Sequence, residues 1–300
     1  MRKTIKTLLT IILLTLIFSK IDFLQIKGLL VNINPFLLFV PFIAFFVGIY
    51  ISVLKWQKIL SFYGFQEKIH ELYKAYLVGV FYNNFLPSSV GGDIYRLFRL
   101  NKKLKNKKII LTTIILERGF GYFALLFVSL LLTLFWGDKI IQNRALILIA
   151  LAIFLLLVSI NIFFFFNFKK LTFFSKFNVY VKFLTFIDGV KRVSQNKRIV
   201  VQSLGLSIIF TMLSAISLWV LFLSLGSKVD FLAVFFVSSI TQVISIIPIS
   251  LNNIGVSEGL HVFLFSFFGV NPSLSLSVSL IGRAVSLVSS LAAGLITIKE

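Results

Sequence analysis

The sequence has no cysteine, only 2 histidines and only 10 acidic residues among 300. The lack of cysteine excludes disulfide bonds, thiolate nucleophiles and cysteine metal sites. Two histidines, His70 and His261, exclude a multi-histidine metal centre. Charged residues make up 13% of the chain, about half of what a soluble surface requires. The sequence therefore predicts no metal and no cofactor, and it excludes a soluble globular protein.

Apolar residues are abundant instead, at 58% of the chain with 36 phenylalanines. They lie in runs of about 20 residues, the length that crosses a hydrocarbon core of about 30 Å. We predict an all-α, polytopic bundle of about six to eight transmembrane helices, forming a single integral membrane domain over residues 1–300. The predicted apolar segments are 7–19 (an uncleaved first helix), 35–54, 109–136, 145–166, 199–225, 231–247, 255–268 and 273–298.

A further apolar segment, 75–90, is interrupted by Asn83, Asn84 and Pro87 and followed by a glycine pair. Basic residues concentrate in cytoplasmic loops, so their distribution tests whether this segment crosses the membrane. If it enters and returns to the same side, 23 of the 30 basic residues are cytoplasmic and 5 lie outside. A full crossing would reverse this bias. We therefore predict a re-entrant segment and cytoplasmic termini in a prokaryotic plasma membrane.

The segment 231–268 fits two arrangements. It forms either two full spans with a short cytoplasmic turn at 250–255, or a second re-entrant hairpin that enters from outside. Both place the C-terminus inside, so the charge distribution does not separate them.

The net charge of +20 follows from the same bias. Basic residues beside membrane spans set topology and attract anionic lipid headgroups, so we predict no nucleic-acid partner. The stretch 94–105 alternates apolar and basic residues at helical spacing, which indicates a helix at the membrane interface.

Two stretches, 83–93 and 248–258, share a composition: proline, serines, an asparagine pair and glycine before an acidic residue. Broken backbone is tolerated at membrane depth only where protein packs around it or water reaches it. Such elements in two halves of a chain mark transporter binding sites and suggest an inverted repeat. The alternative is a pair of helix kinks sealed by neighbouring helices. The predicted cavity-lining residues are Asn83, Asn84, Pro87, Pro248, Asn252, Asn253, Ser279 and Ser286.

Four charged residues, Glu117, Arg118, Glu258 and Arg283, lie within the apolar segments. Each costs about 2.5–3.5 kcal/mol near a helix centre, so each needs a partner or water. They either pair with one another or serve a ligand. A local ion pair is also expected between Asp93 and the residue three positions later, Arg96.

An arginine fork matches phosphate oxygens, and free amides at a helix start add donors. We therefore predict that a lipid phosphate contacts Arg118, Arg283 and Arg96, together with the amides of Gly91 and Gly92. The carboxylates of Asp93, Glu117 and Glu258 would balance charge or gate the site. No catalytic motif of comparable quality is present, so we predict that the protein is not an enzyme.

These motifs resemble those of the lysylphosphatidylglycerol synthase transmembrane-region family, flippase-like membrane proteins of bacteria and archaea. The resemblance covers nearly the whole chain and rests on Leu86-Pro-Ser-Ser-Val-Gly-Gly-Asp-Ile-Tyr-Arg96, the Glu117-Arg118 pair, Pro248-Ile-Ser through Gly255-Val-Ser-Glu258, and Arg283. The chain departs from the family at Asn252-Asn253, where the family tends to have glycines.

The resemblance implies a flippase that moves a phospholipid or polyprenyl-linked lipid headgroup between leaflets. We expect the soluble aminoacyltransferase domain of the best-understood family members to be absent. The expected partners are membrane lipids, either an anionic phospholipid or a polyprenyl phosphate. Two alternatives stay open: a non-transporting subunit that docks a separate lipid-modifying enzyme, and an intramembrane enzyme acting on a lipid-linked substrate.

Overall fold

The computed structural model describes residues 28, 31, 33–85, 91–137, 144–165, 178–247 and 249–298. Within these ranges the chain is helical and contains no strand, which confirms the all-α prediction. The predicted span at 7–19 and two predicted cavity residues, Pro87 and Pro248, lie outside the described residues.

A 3-10 helix at Pro35–Leu38 leads into the first of the α-helices in the described ranges. In chain order these helices are α1 (Phe39–Phe62), α2 (Ile69–Phe85), α3 (Gly91–Leu104), α4 (Lys107–Phe135), α5 (Arg144–Phe165), α6 (Asn178–Gln195), α7 (Lys197–Ser224), α8 (Phe231–Ile244), α9 (Val256–Ser266) and α10 (Pro272–Ile298).

Several of these helices suit a bilayer. Within the described residues, four segments are long and apolar enough to cross a membrane: Pro35–Phe62, Lys107–Phe135, Lys197–Ser224 and Pro272–Leu295. They expose large apolar side chains such as Phe36, Leu134 and Leu295. This much exposed apolar surface is unfavourable in contact with water but suits contact with lipid. The chain is a multi-pass helical membrane protein.

The first described span is longer than the sequence predicted. We expected it to end at residue 54, with Lys55 already beyond it, but α1 continues to Phe62. The helix continues because Trp56, Ile59 and Leu60 extend its apolar face and are fully buried. Lys55 is therefore a buried residue inside a helix.

Helices α2 and α3 form a hairpin. The backbone N–H of Gly92, at the start of α3, donates to Oδ1 of Asn83 near the end of α2 at 2.7 Å. Gly92 also lies directly against the carbonyl oxygen of Gly79. Farther along, Arg99 of α3 pairs with Glu71 near the start of α2, so the two helices run antiparallel.

Helices α8 and α9 form the second short pair and pack against each other. They contain 14 and 11 residues. At 1.5 Å per residue they are about 21 and 17 Å long, which is too short for a hydrocarbon core of about 30 Å. Their lengths favour the re-entrant hairpin over two full spans for 231–268.

The chain divides into two compact units, and four helices contribute residues to both. Unit 1 comprises Met1–Tyr50, Tyr76–Gly92 and Ile209–Glu300; unit 2 comprises Ile51–Ala75 and Asp93–Ile208. In unit 1, α9 packs against α8 and α10. In unit 2, α4 packs against α5 and α6. The core of unit 2 contains Ile59, Leu116, Val190, Val193 and Ile199.

Part of the helical pattern repeats with a constant offset along the sequence. Helices α3 and α4 begin at Gly91 and Lys107, and helices α9 and α10 begin at Val256 and Pro272. The offset from the start of α3 to the start of α9 equals the offset from the start of α4 to the start of α10. This register holds although α3 is longer than α9, because the turn after α3 is shorter by the same amount. A short helix followed by a long one is therefore a repeated unit of this chain.

The hairpin contact at Gly92 gives a stability prediction. A Cβ at this position would collide with the carbonyl oxygen of Gly79, which is part of a helix and has little freedom to move. We expect Gly92→Ala to lower the free energy of unfolding by about 1–3 kcal/mol, as overpacking does. Denaturation of the purified chain in detergent measures this change.

The matched control is Gly205→Ala in α7, where a Cβ meets nothing within 4 Å. Because alanine favours helix over glycine by about 1 kcal/mol, this change should be neutral or stabilising. Equal stability of the two variants would contradict the close contact at Gly92.

Candidate functional site

Unit 2 contains a buried cluster of charged side chains centred on Glu117 in α4. One carboxylate oxygen lies 3.2 Å from Nζ of Lys55 and the other 3.4 Å from Nη1 of Arg96. The side chains of all three residues are at most 6% exposed. Two cations thus lie beside a single buried carboxylate, and they stabilise its ionised form where water does not reach it.

Asp93 joins this cluster at the start of α3, where it is the third residue of the helix. Its carboxylate accepts from Nε of Arg118 at 2.8 Å and lies 3.3 Å from Nη1 of Arg96. Because its side chain is mostly buried, the two arginines rather than water balance its charge. Asp93 therefore links Arg118 to the deeper Arg96.

Neighbouring side chains hold the cluster in place. The guanidinium of Arg96 lies over the ring of Trp56 at 4.0 Å from the ring centroid, in a cation–π contact. The indole Nε1 of Trp56 donates to Oγ1 of Thr113, and Nζ of Lys55 donates to Oγ of Ser207, each at 3.1 Å. Fixed donors and an aromatic platform give these charges defined positions.

Unit 1 contains a second charged site, built on α9 and α10. Nε of Arg283 donates to Oε1 of Glu258, and one of its Nη groups donates to Oγ of Ser257 at 2.7 Å. Oε2 of Glu258 accepts from the backbone N–H of Gly255 at 2.7 Å, so this carboxylate also caps the start of α9. Glu258 is buried, whereas the arginine side chain is 24% exposed.

The loop before α9 wraps the guanidinium of Arg283. Its Nη groups lie 3.3 and 3.4 Å from the carbonyl oxygens of Asn252 and Asn253. Both asparagines have positive φ, 47° and 55°, and Gly255 has φ of 83°. Asparagine tolerates the left-handed region better than other non-glycine residues. The asparagine pair can therefore adopt a backbone that glycine would otherwise supply, and this turns two carbonyls towards the arginine.

The two sites correspond in the repeat. Asp93 and Glu258 are each the third residue of their helix, so they occupy the same position in α3 and α9. The interval along the sequence from Asp93 to Arg118 equals the interval from Glu258 to Arg283. In each pair the arginine uses Nε to hold the carboxylate. The pairing therefore repeats at the level of single atoms.

The other predicted site residues have varied surroundings. Asn83 accepts from Gly92, so the amide that we expected to serve a phosphate is engaged within the hairpin in this structure. Ser279 contacts Nδ1 of His261 at 2.9 Å. Gly91, Asn84 and Ser286 are partly exposed, and Asn252 is exposed. Whether these residues line a cavity stays a prediction.

The sequence predicted only some of the contacts between these charged side chains. The expected contact between Asp93 and Arg96 exists, but Arg118 lies closer to Asp93 than Arg96 does. Glu117 and Arg118 are consecutive in the sequence but contact different partners, because successive side chains of an α-helix point in directions about 100° apart. Sequence reasoning missed Lys55, because a lysine directly after an apolar run is typical of a loop and the burial of Trp56 beside it is visible only in the structure.

Comparison with known proteins matches the sequence of this chain to a described family. A family model described as the lysylphosphatidylglycerol synthase TM region matches residues 4–294. A UPF0104 membrane protein of Methanocaldococcus jannaschii is 26% identical over 96% of this chain and 91% of its own length. UPF0104 membrane proteins of Methanothermobacter thermautotrophicus and Pyrococcus horikoshii are 21% and 22% identical, covering 87% and 85% of this chain and 84% of each relative.

The interaction energy of the Arg283–Glu258 ion pair in unit 1 can be measured with a double-mutant cycle. We expect Arg283→Met and Glu258→Gln each to destabilise the protein by about 1–3 kcal/mol, because the first leaves the buried Glu258 without its counter-ion and the second leaves the partly buried Arg283 without its own. The double variant should cost less than the sum of the two, with a coupling of about 1–2 kcal/mol. Denaturation of the four proteins in detergent measures the cycle.

The matched control is the surface pair of Arg99 and Glu71, whose side chains are 30% and 40% exposed. Its coupling should be below about 1 kcal/mol because water screens exposed charges. Strictly additive effects at Arg283 and Glu258 would contradict the buried pairing.

Proposed function

Because the chain belongs to the family of the lysylphosphatidylglycerol synthase TM region, we propose that it moves a phosphate-bearing lipid headgroup between the two leaflets of a membrane. The headgroup is that of an anionic phospholipid or a polyprenyl phosphate. Its tails stay in the surrounding lipid while the phosphate passes polar groups inside the protein. We propose no chemical step on the lipid.

One observation carries this proposal: two arginines in apolar spans are held by carboxylates that are mostly or fully buried, while part of each arginine side chain reaches the surface of the protein. Arg118 is 29% exposed and Arg283 is 24% exposed. Planar guanidinium groups bind phosphate oxygens in a fork geometry. A guanidinium already held through Nε loses little further freedom when a phosphate binds, which favours affinity.

The remaining site residues then have supporting roles. Asp93 and Glu258 orient the two arginines through Nε, and Glu117 balances the charges behind Asp93. The short helices α3 and α9 bring these carboxylates into the protein from broken segments, as transporter sites require. Arg96 lies deeper and contributes charge.

We further propose that both termini are cytoplasmic in a prokaryotic plasma membrane. Since the chain has no cysteine, any introduced cysteine is a unique label. Lys102→Cys on α3 and Lys228→Cys before α8 both replace exposed lysines. In intact cells an impermeant maleimide should label the cysteine at 228 and not the one at 102. After permeabilisation both should be labelled, and the reverse pattern in intact cells would overturn the orientation.

Translocation is tested with the purified full chain in liposomes. Fluorescent phosphatidylglycerol, aminoacyl-phosphatidylglycerol and a polyprenyl phosphate are followed by quenching of the dye in the outer leaflet. We expect one of these lipids to move, and Arg118→Gln or Arg283→Gln to slow its movement about tenfold or more, because each removes a phosphate-binding fork.

The matched control is Arg99→Gln, which removes an arginine from the surface pair with Glu71 and should leave the rate within about twofold. Wild-type rates in the Arg283→Gln protein at equal reconstitution would contradict the proposal. Folded wild-type protein that moves no lipid would favour a subunit that docks a lipid-modifying enzyme. A changed lipid mass would favour an intramembrane enzyme.

A further inference from the structure

Helix α3 differs in charge from α9, its counterpart in the repeat. The stretch 91–108, which includes α3 and the start of α4, contains seven basic residues: Arg96, Arg99, Lys102, Lys103, Lys105, Lys107 and Lys108. The corresponding stretch 256–273, at the same offset along the chain, contains no lysine and no arginine. A short helix followed by a long one therefore forms without these charges, so the repeated unit does not explain them.

Some of these basic residues are engaged inside the protein. Arg96 belongs to the buried cluster, whereas Arg99 and Lys103 pair with Glu71 and Glu67 of the hairpin. The other four are exposed: Lys102, Lys105, Lys107 and Lys108. Because they fall within the short stretch 102–108, they form one basic surface, which we call the lysine patch.

Two large apolar side chains are exposed on α3 beside the lysine patch. Ile94 is 48% exposed and Phe98 is 53% exposed, and they lie one turn apart on the same side of the helix. Lys102 follows one turn later on that side. Nζ of Lys107 lies 5.2 Å from the ring centroid of Phe98, in a cation–π contact. The exposed side of α3 thus changes from apolar to basic along the helix.

The length of α4 indicates that this side of α3 lies at the surface of a bilayer. Helix α4 contains 29 residues, and at 1.5 Å per residue it is about 44 Å long, which exceeds a hydrocarbon core of about 30 Å. Its charged first residues, Lys107 and Lys108, therefore lie among lipid headgroups. The contact with Lys107 puts Phe98 at the same boundary. The apolar side chains of α3 then contact acyl chains while its lysines reach the headgroups, as in an interfacial helix.

We propose that the exposed side of α3 and the lysine patch bind an anionic phospholipid that stays in its leaflet and is not transported. Its acyl chains contact Ile94 and Phe98, and its phosphate interacts with the lysine patch. Opposite charge beside an apolar surface fits this ligand, whereas an acidic soluble protein would not reach side chains at the depth of the acyl chains. The inference goes beyond the proposed function, because it requires no movement of lipid.

The bound lipid has a structural consequence, because α3 also carries Asp93. Ile94 directly follows Asp93, whose carboxylate accepts from Nε of Arg118 at 2.8 Å. At the same end of α3, the backbone N–H of Gly92 donates to Asn83. A lipid that holds the exposed side of α3 therefore stabilises the helix that positions Asp93. The backbone amides of α3 should then exchange their hydrogens more slowly when an anionic lipid is present.

Hydrogen exchange of the purified full chain in nanodiscs tests this inference. One set of nanodiscs contains phosphatidylcholine alone, and the other contains phosphatidylcholine mixed with phosphatidylglycerol. We expect the amides of 92–104 to exchange about fivefold more slowly in the anionic nanodiscs, because a bound ligand lowers the population of the opened helix. Helix α9 meets the same lipid mixture but has no lysine or arginine, so its amides should change less than about twofold.

Two triple variants separate a specific site from the general attraction of cations to an anionic membrane. The first carries Lys102→Gln, Lys105→Gln and Lys107→Gln, and its exchange should differ less than about twofold between the two nanodiscs. The matched control changes three other exposed basic residues of unit 2 to glutamine and should keep the fivefold difference: Arg192, Lys197 and Arg198. Arginine at the three positions of the first variant keeps the charge and should also keep the difference.

The apolar part of the site is tested with Phe98→Ser. This change removes the acyl-chain contact and should reduce the difference between the nanodiscs about twofold or more. The matched control is Val288→Ser in α10, where the valine is 57% exposed, and it should leave the exchange of α3 unchanged. Because all the substituted side chains are exposed, each variant should melt in detergent within about 2 °C of the parent, which excludes misfolding as the cause.

The outcomes decide the inference directly. Equal exchange of α3 in the two kinds of nanodisc would overturn it and would leave the exposed side of α3 to a soluble partner. The same loss in both triple variants would also overturn it, because any basic surface would then have the effect. The slower exchange that depends on the lysine patch and on Phe98 would support it, whether or not lipid moves in liposomes.

Discussion

The fold depends on one electrostatic constraint: a carboxylate inside an apolar helical protein must be paired. Glu258 meets this constraint with Arg283, the amide of Gly255 and the hydroxyl of Ser257, and Asp93 meets it with two arginines. To place a carboxylate there, the chain breaks a span, turns and begins a short helix with the acid in its first turn. The helix start supplies amides and a favourable dipole for the negative charge. Asp93 and Glu258 thus lie at the starts of short helices, whereas Glu117 is buried in the middle of α4 and depends on its cationic partners alone.

The sequence predicts most of this arrangement, because its main signals are local. Long apolar runs predict helices, and Asn, Pro and Gly before an acid predict the two breaks. It does not predict the partner of each charge, since pairing depends on which helix faces lie together. Lys55 illustrates this limit: a lysine at the end of an apolar run is typical of a loop. Only tertiary packing around Trp56 and Ile59 shows that the helix continues and buries it.

The two halves show how a repeated element can diverge in chemistry while keeping its geometry. Both retain the third-residue acid and an arginine at the same interval after it. Around this constant pair, one half has aromatic and charged side chains and the other has loop carbonyls from two left-handed asparagines. Keeping the pair preserves the break in the span, and the surrounding positions are free to set charge. A single architecture can therefore hold the same acid–arginine pair in two chemically different surroundings.

The constant separation of acid and arginine has a consequence for how such chains tolerate insertions and deletions. One residue inserted in α4 before Arg118 would turn that arginine by about 100° and shift it by about 1.5 Å along the axis, which separates it from Asp93. An insertion in the turn at 105–106 leaves the interval unchanged if a neighbouring helix shortens by the same amount. The α9–α10 segment shows this compensation, with a shorter helix and a longer turn. Related chains should therefore vary freely in length elsewhere but keep these two acid-to-arginine intervals fixed.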